Sequence, residues 1–219
     1  MRLLTSRDFA VARVPVQLEN DELQLWFFPP DPDAVADTKL RALLGAHLGC
    51  AQNDLVFGRA EHGKPFLSRP AGLEFNLSHS RDALLIGLSR AQALGVDIET
   101  LQRERPALEI ARRFFTASET RALSLLESGP PRNQAFLRLW SAKEAVVKAL
   151  GRGLGFGLAE LEFVIDARGQ PSGLNVIGAS AGTPPEWQII GLQPCDGYVG
   201  ALAWRGPPRT VRAFKAIAD

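Results

Sequence analysis

Residues 95–99 read GVDIE, and residues 140–151 read WSAKEAVVKALG. In an extended strand side chains alternate, so Val96 and Ile98 face one way and Asp97 and Glu99 the other. Two carboxylates on one face repel unless a cation sits between or beside them. Oxygen ligands that leave positions open for water and phosphate suit Mg²⁺. At 100° per residue, Phe136, Leu139, Val146, Val147 and Leu150 share one helical arc, with Lys143 inside it. Trp140 and Glu144 lie one turn apart at its edge, and Lys148 lies a turn further on. A lysine among apolar neighbours must find an anion or lose its charge. Together these residues suit a metal-assisted reaction on a phosphate. Taken singly they stay open to plainer readings. Asp97 and Glu99 could be solvated acids at a strand end, and Lys143 could lay its stem on the core and snorkel.

Five segments stand in order along the chain: GKP at 63–65, FNLSHS at 75–80, GVDIE at 95–99, RFFTASE at 113–119 and WSAKEAVVKALGRGL at 140–154. In this order and spacing the chain resembles the monomeric Sfp-type 4′-phosphopantetheinyl transferases, which activate acyl and peptidyl carrier proteins. The W-x-x-KEA form resembles the subgroup tied to peptide and polyketide synthases. The resemblance implies an α+β fold, a pseudo-twofold pair of similar halves (1–100 and 101–219) with the active site between them. It implies that a serine of an apo carrier protein attacks the β-phosphorus of coenzyme A and that 3′,5′-ADP leaves. Asp97, Glu99 and Glu144 are then the ligands of Mg²⁺, or of Mn²⁺. Lys143 and Lys148 balance phosphate charge, and Glu144, as ligand, base or both, takes the serine proton. Trp140 packs and positions Glu144. Family matching puts His79 and Arg41 on the 3′-phosphate of coenzyme A, Ser78 beside the pyrophosphate and Lys64 near the adenine and its ribose. Some members carry further bases shortly before the first helix. Residues 26–33 here, WFFPPDPD, have none, so Lys39 or Arg59 would have to supplement Arg41 and His79.

The remaining sequence limits the function classes. With 25 basic and 24 acidic residues the net charge is +1, which gives no global field for nucleic acid. Cys50 and Cys195 are far apart and form no metal spacing, so free thiols are expected. Neither a signal peptide nor an 18-residue apolar run is evident. The expectation is a cytoplasmic monomer with no membrane partner. Periodicity predicts strands at 22–28, 73–77, 83–88, 94–98, 161–165, 173–177, 187–192 and 199–204, and helices at 34–48 and 108–115 as well as around 140–150. Thr116 and Glu119 have the spacing of a capping box. The arginines at 103, 105, 112 and 113 offer a docking surface for an acidic carrier helix, while Phe114 and Phe115 read as core. Two other functions use the same residues. One is a metal-dependent nucleotide pyrophosphatase with water as nucleophile, and the other is a non-catalytic coenzyme A or carrier-binding module.

Overall fold

The computed structural model describes residues 1–33, 35–102 and 104–217, with the backbone alone at residue 154. Strands β1 (Arg2–Thr5), β2 (Phe9–Ala12) and β3 (Glu22–Phe28) lead into helix α1 (Ala36–Leu48). A ribbon of β4 (Val56–Arg59) and β5 (Pro65–Arg69) follows, then β6 (Glu74–Ser80), β7 (Ala83–Ser89) and β8 (Leu94–Thr100). Helices α2 (Ala107–Phe114), α3 (Ala117–Ser124) and α4 (Pro130–Leu150) come next. The chain ends with the ribbon β9 (Leu161–Ile165) and β10 (Pro171–Ile177), then β11 (Trp187–Gln193), β12 (Tyr198–Arg205) and β13 (Thr210–Ala216).

Two sheets carry this α+β architecture, one ordered β2-β13-β3-β7-β6 and the other β1-β11-β12-β8. Their inner faces share a core in which Leu25 and Leu85 of the first meet Val96, Ile98 and Leu202 of the second. Helix α1 covers the outer face of the first sheet, with Leu40, Leu43 and Leu44 against Trp26, Phe75 and Ile86. Helix α4 covers the outer face of the second, with Phe136, Leu139 and Val146 in one cluster with Val199, Ala201 and Ala203. Alternation along β8 therefore does what the sequence predicts. Val96 and Ile98 enter the shared core, which leaves 95, 97 and 99 for the α4 side.

Gly95 is what allows the helix to come so close. A Cβ there would lie 2.0 Å from the Ala145 carbonyl oxygen and 2.4 Å from the Ala149 nitrogen. Without one, α4 rests directly on β8, so side chains from helix and strand converge. Gly151, with φ of 69°, then ends the helix in the left-handed conformation.

Strands pair across residue 100. Strand β1 pairs in parallel with β11, β8 pairs with β12, and β13 lies between β2 and β3. These exchanges are pairings between distant segments, which local periodicity cannot register. Among the described residues no helix is long and apolar enough to cross a membrane.

Candidate active site

Strand β8 is the edge of its sheet, so its outward backbone groups need partners. Alternate side chains of β6, the edge of the other sheet, supply them. The Val96 amide donates to Asn76 Oδ1 (2.8 Å), Ile98 to Ser78 Oγ (3.3 Å) and Thr100 to Ser80 Oγ (3.0 Å). Two lysines complete the edge. Lys64 Nζ donates to the Leu94 carbonyl at 3.0 Å and Lys148 Nζ to the Val96 carbonyl at 3.1 Å. The FNLSHS and GKP motifs thus join the two sheets beside the carboxylates. Lys64, matched by resemblance to the adenine end of coenzyme A, thus also holds β8, and burial lowers its pKa.

The acids gather on the far side of that seam. Asp97 Oδ1 accepts from Ser78 Oγ at 2.8 Å and from Lys148 Nζ at 2.7 Å. Its other oxygen, Oδ2, is buried without a hydrogen-bond partner, and so is Glu144 Oε1. Burial, followed by the charge of Asp97, pushes the Glu144 carboxyl up to about 7, against a smaller lowering by Lys148. Glu99 is raised by burial and then by Asp97, although one Arg105 nitrogen bridges both its oxygens at 2.9 Å. Buried carboxylate oxygens aimed at no donor are costly. Their mutual repulsion and hard-oxygen chemistry fit a divalent cation such as Mg²⁺. Arg105 pairs with Glu99 and Lys148 with Asp97, and among the described residues no group of three or more His, Cys, Asp or Glu is placed to hold a metal.

Lys143 finds its anion within the protein. It is fully buried, and its ammonium lies 2.7 Å from Glu119 Oε2 rather than toward the other acids. It also donates to the carbonyls of Leu158 (2.9 Å) and Leu161 (2.5 Å) and sits 4.7 Å from the centre of the Phe115 ring. The apolar arc did demand an anion for this lysine, but the anion is a protein side chain. Glu119 closes the predicted capping box with Thr116 and also accepts from the Phe163 amide at 2.8 Å. Trp140 packs edge-on to Phe114 and tilted against Phe115 and Phe136, one turn before Glu144. Phe114, expected in the core, is 38% exposed. Arg103 lies outside the described residues. Arg112 and Arg113 are exposed at the end of α2.

A cleft of about 830 Å³ leads away from Asp97 and Lys148. It passes Ser78 and His79 on β6 and reaches Arg59, Phe57 and Arg41. His79 is exposed there. Arg41 is held firmly: its Nε donates to Asp37 at 2.7 Å, Nη1 donates to the Gln52 and Leu55 carbonyls, and the guanidinium lies over Phe57. Lys39 instead pairs with Asp31.

The raised carboxyl of Glu144 predicts a pH effect on stability. An unfolded glutamate titrates near 4.5, and Glu144 in the fold near 7. The folded state therefore binds the extra proton between those values, and its stability falls as pH rises through that window. Glu144→Gln removes the effect. In EDTA, the Tm of Glu144→Gln minus that of the native protein should grow by several degrees from pH 4.5 to pH 7.5. A difference independent of pH would contradict a Glu144 carboxyl raised by burial and by Asp97.

A family model described as the 4′-phosphopantetheinyl transferase superfamily matches residues 93–203. The chain is 34% identical over 172 residues to the 4′-phosphopantetheinyl transferase HetI of Nostoc sp., covering 76% of this chain and 68% of that protein. It is 31% identical over 139 residues to the 4′-phosphopantetheinyl transferase Sfp of Bacillus subtilis, covering 63% and 60%. With the L-aminoadipate-semialdehyde dehydrogenase-phosphopantetheinyl transferase of Xenopus laevis it shares 27% identity over 161 residues, covering 67% and 53%. The chain spans between 50% and 68% of the length of the curated relatives it matches.

Proposed function

Because the chain belongs to the 4′-phosphopantetheinyl transferase superfamily, we propose that it moves the 4′-phosphopantetheine arm of coenzyme A to a serine of an apo acyl or peptidyl carrier protein. The observation that carries this reading is one cleft with anchored cations at one end and, at the other, Asp97, whose buried oxygen lacks a partner. Asp97 and Glu144 would hold Mg²⁺ through their unpartnered oxygens, with Glu99 as the third donor. A divalent cation bound there supplies charge neutralisation for the pyrophosphate.

The protein's own groups do the rest. Arg41 and His79 grip the 3′-phosphate, and Arg59 lies close enough in the cleft wall to supplement them. Arginine suits this work because its planar fork forms paired bonds to phosphate. Lys148 balances charge beside the reacting phosphate, and Ser78 fixes Asp97. The carrier serine oxygen attacks the β-phosphorus while the bond from that phosphorus to the bridging oxygen breaks, releasing 3′,5′-ADP. The serine proton passes to Glu144 or to a water held by it. In-line alignment and charge neutralisation supply most of the acceleration in such transfers. The reading takes the protein as a cytoplasmic monomer with no nucleic-acid or membrane partner.

Incubation with apo carriers of the fatty-acid, polyketide and peptide classes, coenzyme A and Mg²⁺ tests it by intact mass. At least one carrier should gain a phosphopantetheine mass, and EDTA should stop the gain. Carriers of every class left unmodified with Mg²⁺ or Mn²⁺ present would overturn it.

The carrier docks along α2. Arg112 and Arg113 project from its last turn, beside exposed Phe114. Arg112 lines a groove of about 750 Å³ with Arg105, Pro106 and Arg132. Exposed charges steer encounter and are screened beyond roughly 10 Å at 0.1 M salt. Reversing both Arg112 and Arg113 to glutamate should raise the carrier's KM and flatten its salt dependence, with coenzyme A affinity hardly changed. Carrier kinetics equal to the native protein's at low salt would move the docking surface elsewhere.

A further inference from the structure

We propose that Arg105 is a positioning residue that withholds Glu99 from a divalent cation until coenzyme A arrives, so that metal and substrate enter together. The inference rests on the reading of Asp97, Glu99 and Glu144 as the metal-binding carboxylates.

Arg105 is built into its place. One of its terminal nitrogens donates to both oxygens of Glu99 at 2.9 Å, and that ion pair is mostly buried, with side-chain exposures of 18% and 13%. Its guanidinium carbon lies 5.9 Å from the centre of the Trp140 ring, and its backbone amide donates to Asn133 Oδ1 at 3.4 Å. Its Nε is buried with no hydrogen-bond partner. An arginine serving only to neutralise Glu99 would do better with both nitrogens on the carboxylate, in the paired geometry that this residue favours. Here a single nitrogen carries the whole contact, an arrangement that can be given up to a competing cation.

Lys148 treats Asp97 in the same way, with its ammonium 2.7 Å from Oδ1. The free protein therefore presents unpartnered carboxylate oxygens on two of the three acids, Asp97 and Glu144. Two carboxylates make a poor site for a cation that takes six or more oxygen ligands. The pyrophosphate of coenzyme A brings the missing oxygens, and the cation then competes for Glu99. Arg105 thereby couples metal loading to substrate: by linkage, whatever weakens the metal in the free protein raises the gain that coenzyme A confers.

Mn²⁺ binding, followed by its paramagnetic resonance signal with and without coenzyme A, tests this apart from turnover. The native protein should bind Mn²⁺ weakly alone and much more tightly with coenzyme A. Arg105→Gln should bind Mn²⁺ alone about tenfold more tightly than the native protein, the scale of losing one charge-assisted contact. The gain from coenzyme A should shrink by the same factor. Arg105→Lys, which keeps the charge, should stay within about threefold of the native protein, and adding Glu99→Gln to Arg105→Gln should abolish the tightening. Mn²⁺ affinities equal in the native and Arg105→Gln proteins, with binding still lost in Asp97→Asn, would overturn the role of Arg105 alone. Mn²⁺ binding indifferent to Asp97→Asn would overturn the metal reading and this inference with it.

Discussion

Asp97→Asn slows transfer at least ~10²-fold, the scale of one preorganised charge-stabilising group, and the protein stays folded. The substitution keeps an acceptor for the Ser78 hydroxyl, now 2.8 Å from Oδ1. It also lessens the repulsion by Asp97 that adds to burial in raising Glu144 and Glu99. What it removes is negative charge at the cleft, beside an oxygen for which the protein supplies no donor. A loss of activity without loss of fold is therefore expected, and Glu144→Ala should behave alike. The check is single-turnover transfer alongside a thermal melt. Near-native turnover in either variant would remove that residue from the mechanism.

The second large effect is on stability. Breaking a fully buried ion pair by removing one partner costs about 3–5 kcal/mol, and Lys143 and Glu119 form such a pair. Glu119 in addition holds the Thr116 and Phe163 amides at 3.0 and 2.8 Å. Lys143→Ala strands a carboxylate in the core, and Glu119→Ala strands an ammonium together with those amides. Urea melts of both variants should fall by that order. Lys143→Met combined with Glu119→Gln should recover part of the loss, since neither charge is then left alone. Single variants as stable as the native protein would mean that the pair is not buried as described.

The sequence carries much of this site in readable form, because its two periods are strong there. Alternation in GVDIE sends Val96 and Ile98 to the core and leaves Asp97 and Glu99 together. The 3.6-residue period around 140–150 places Lys143 among apolar neighbours, a valid alarm about a buried charge. The partner was the difficulty. Glu119 has the spacing of a capping-box acid, which normally faces solvent, so nothing local marks it as the counter-ion. A buried lysine and an acid already tied to a helix start are a pair worth testing against each other.

Other parts were hidden for different reasons. Arg105 reaches Glu99 across a loop ending in Pro106, where no period applies. Asn76, Ser78 and Ser80 alternate, and that pattern of small polar side chains on one face was the available sign of a seam between sheets. Strands β1, β2 and β4 have four residues each, too few for a period to stand out. Strand β13 carries Arg212 and Lys215 between apolar residues and finds its place only by pairing in parallel with β2 and β3. In that placement the last strand completes the first sheet.

The most direct measurement is the release of 3′,5′-ADP from coenzyme A with Mg²⁺, followed with and without an apo carrier that accepts the arm. The account predicts release only when the apo carrier is present, one 3′,5′-ADP for each carrier serine modified, and none with a carrier whose serine is replaced by alanine. Release at the same rate without carrier would make water the nucleophile and the protein a hydrolase, contradicting the transferase reading.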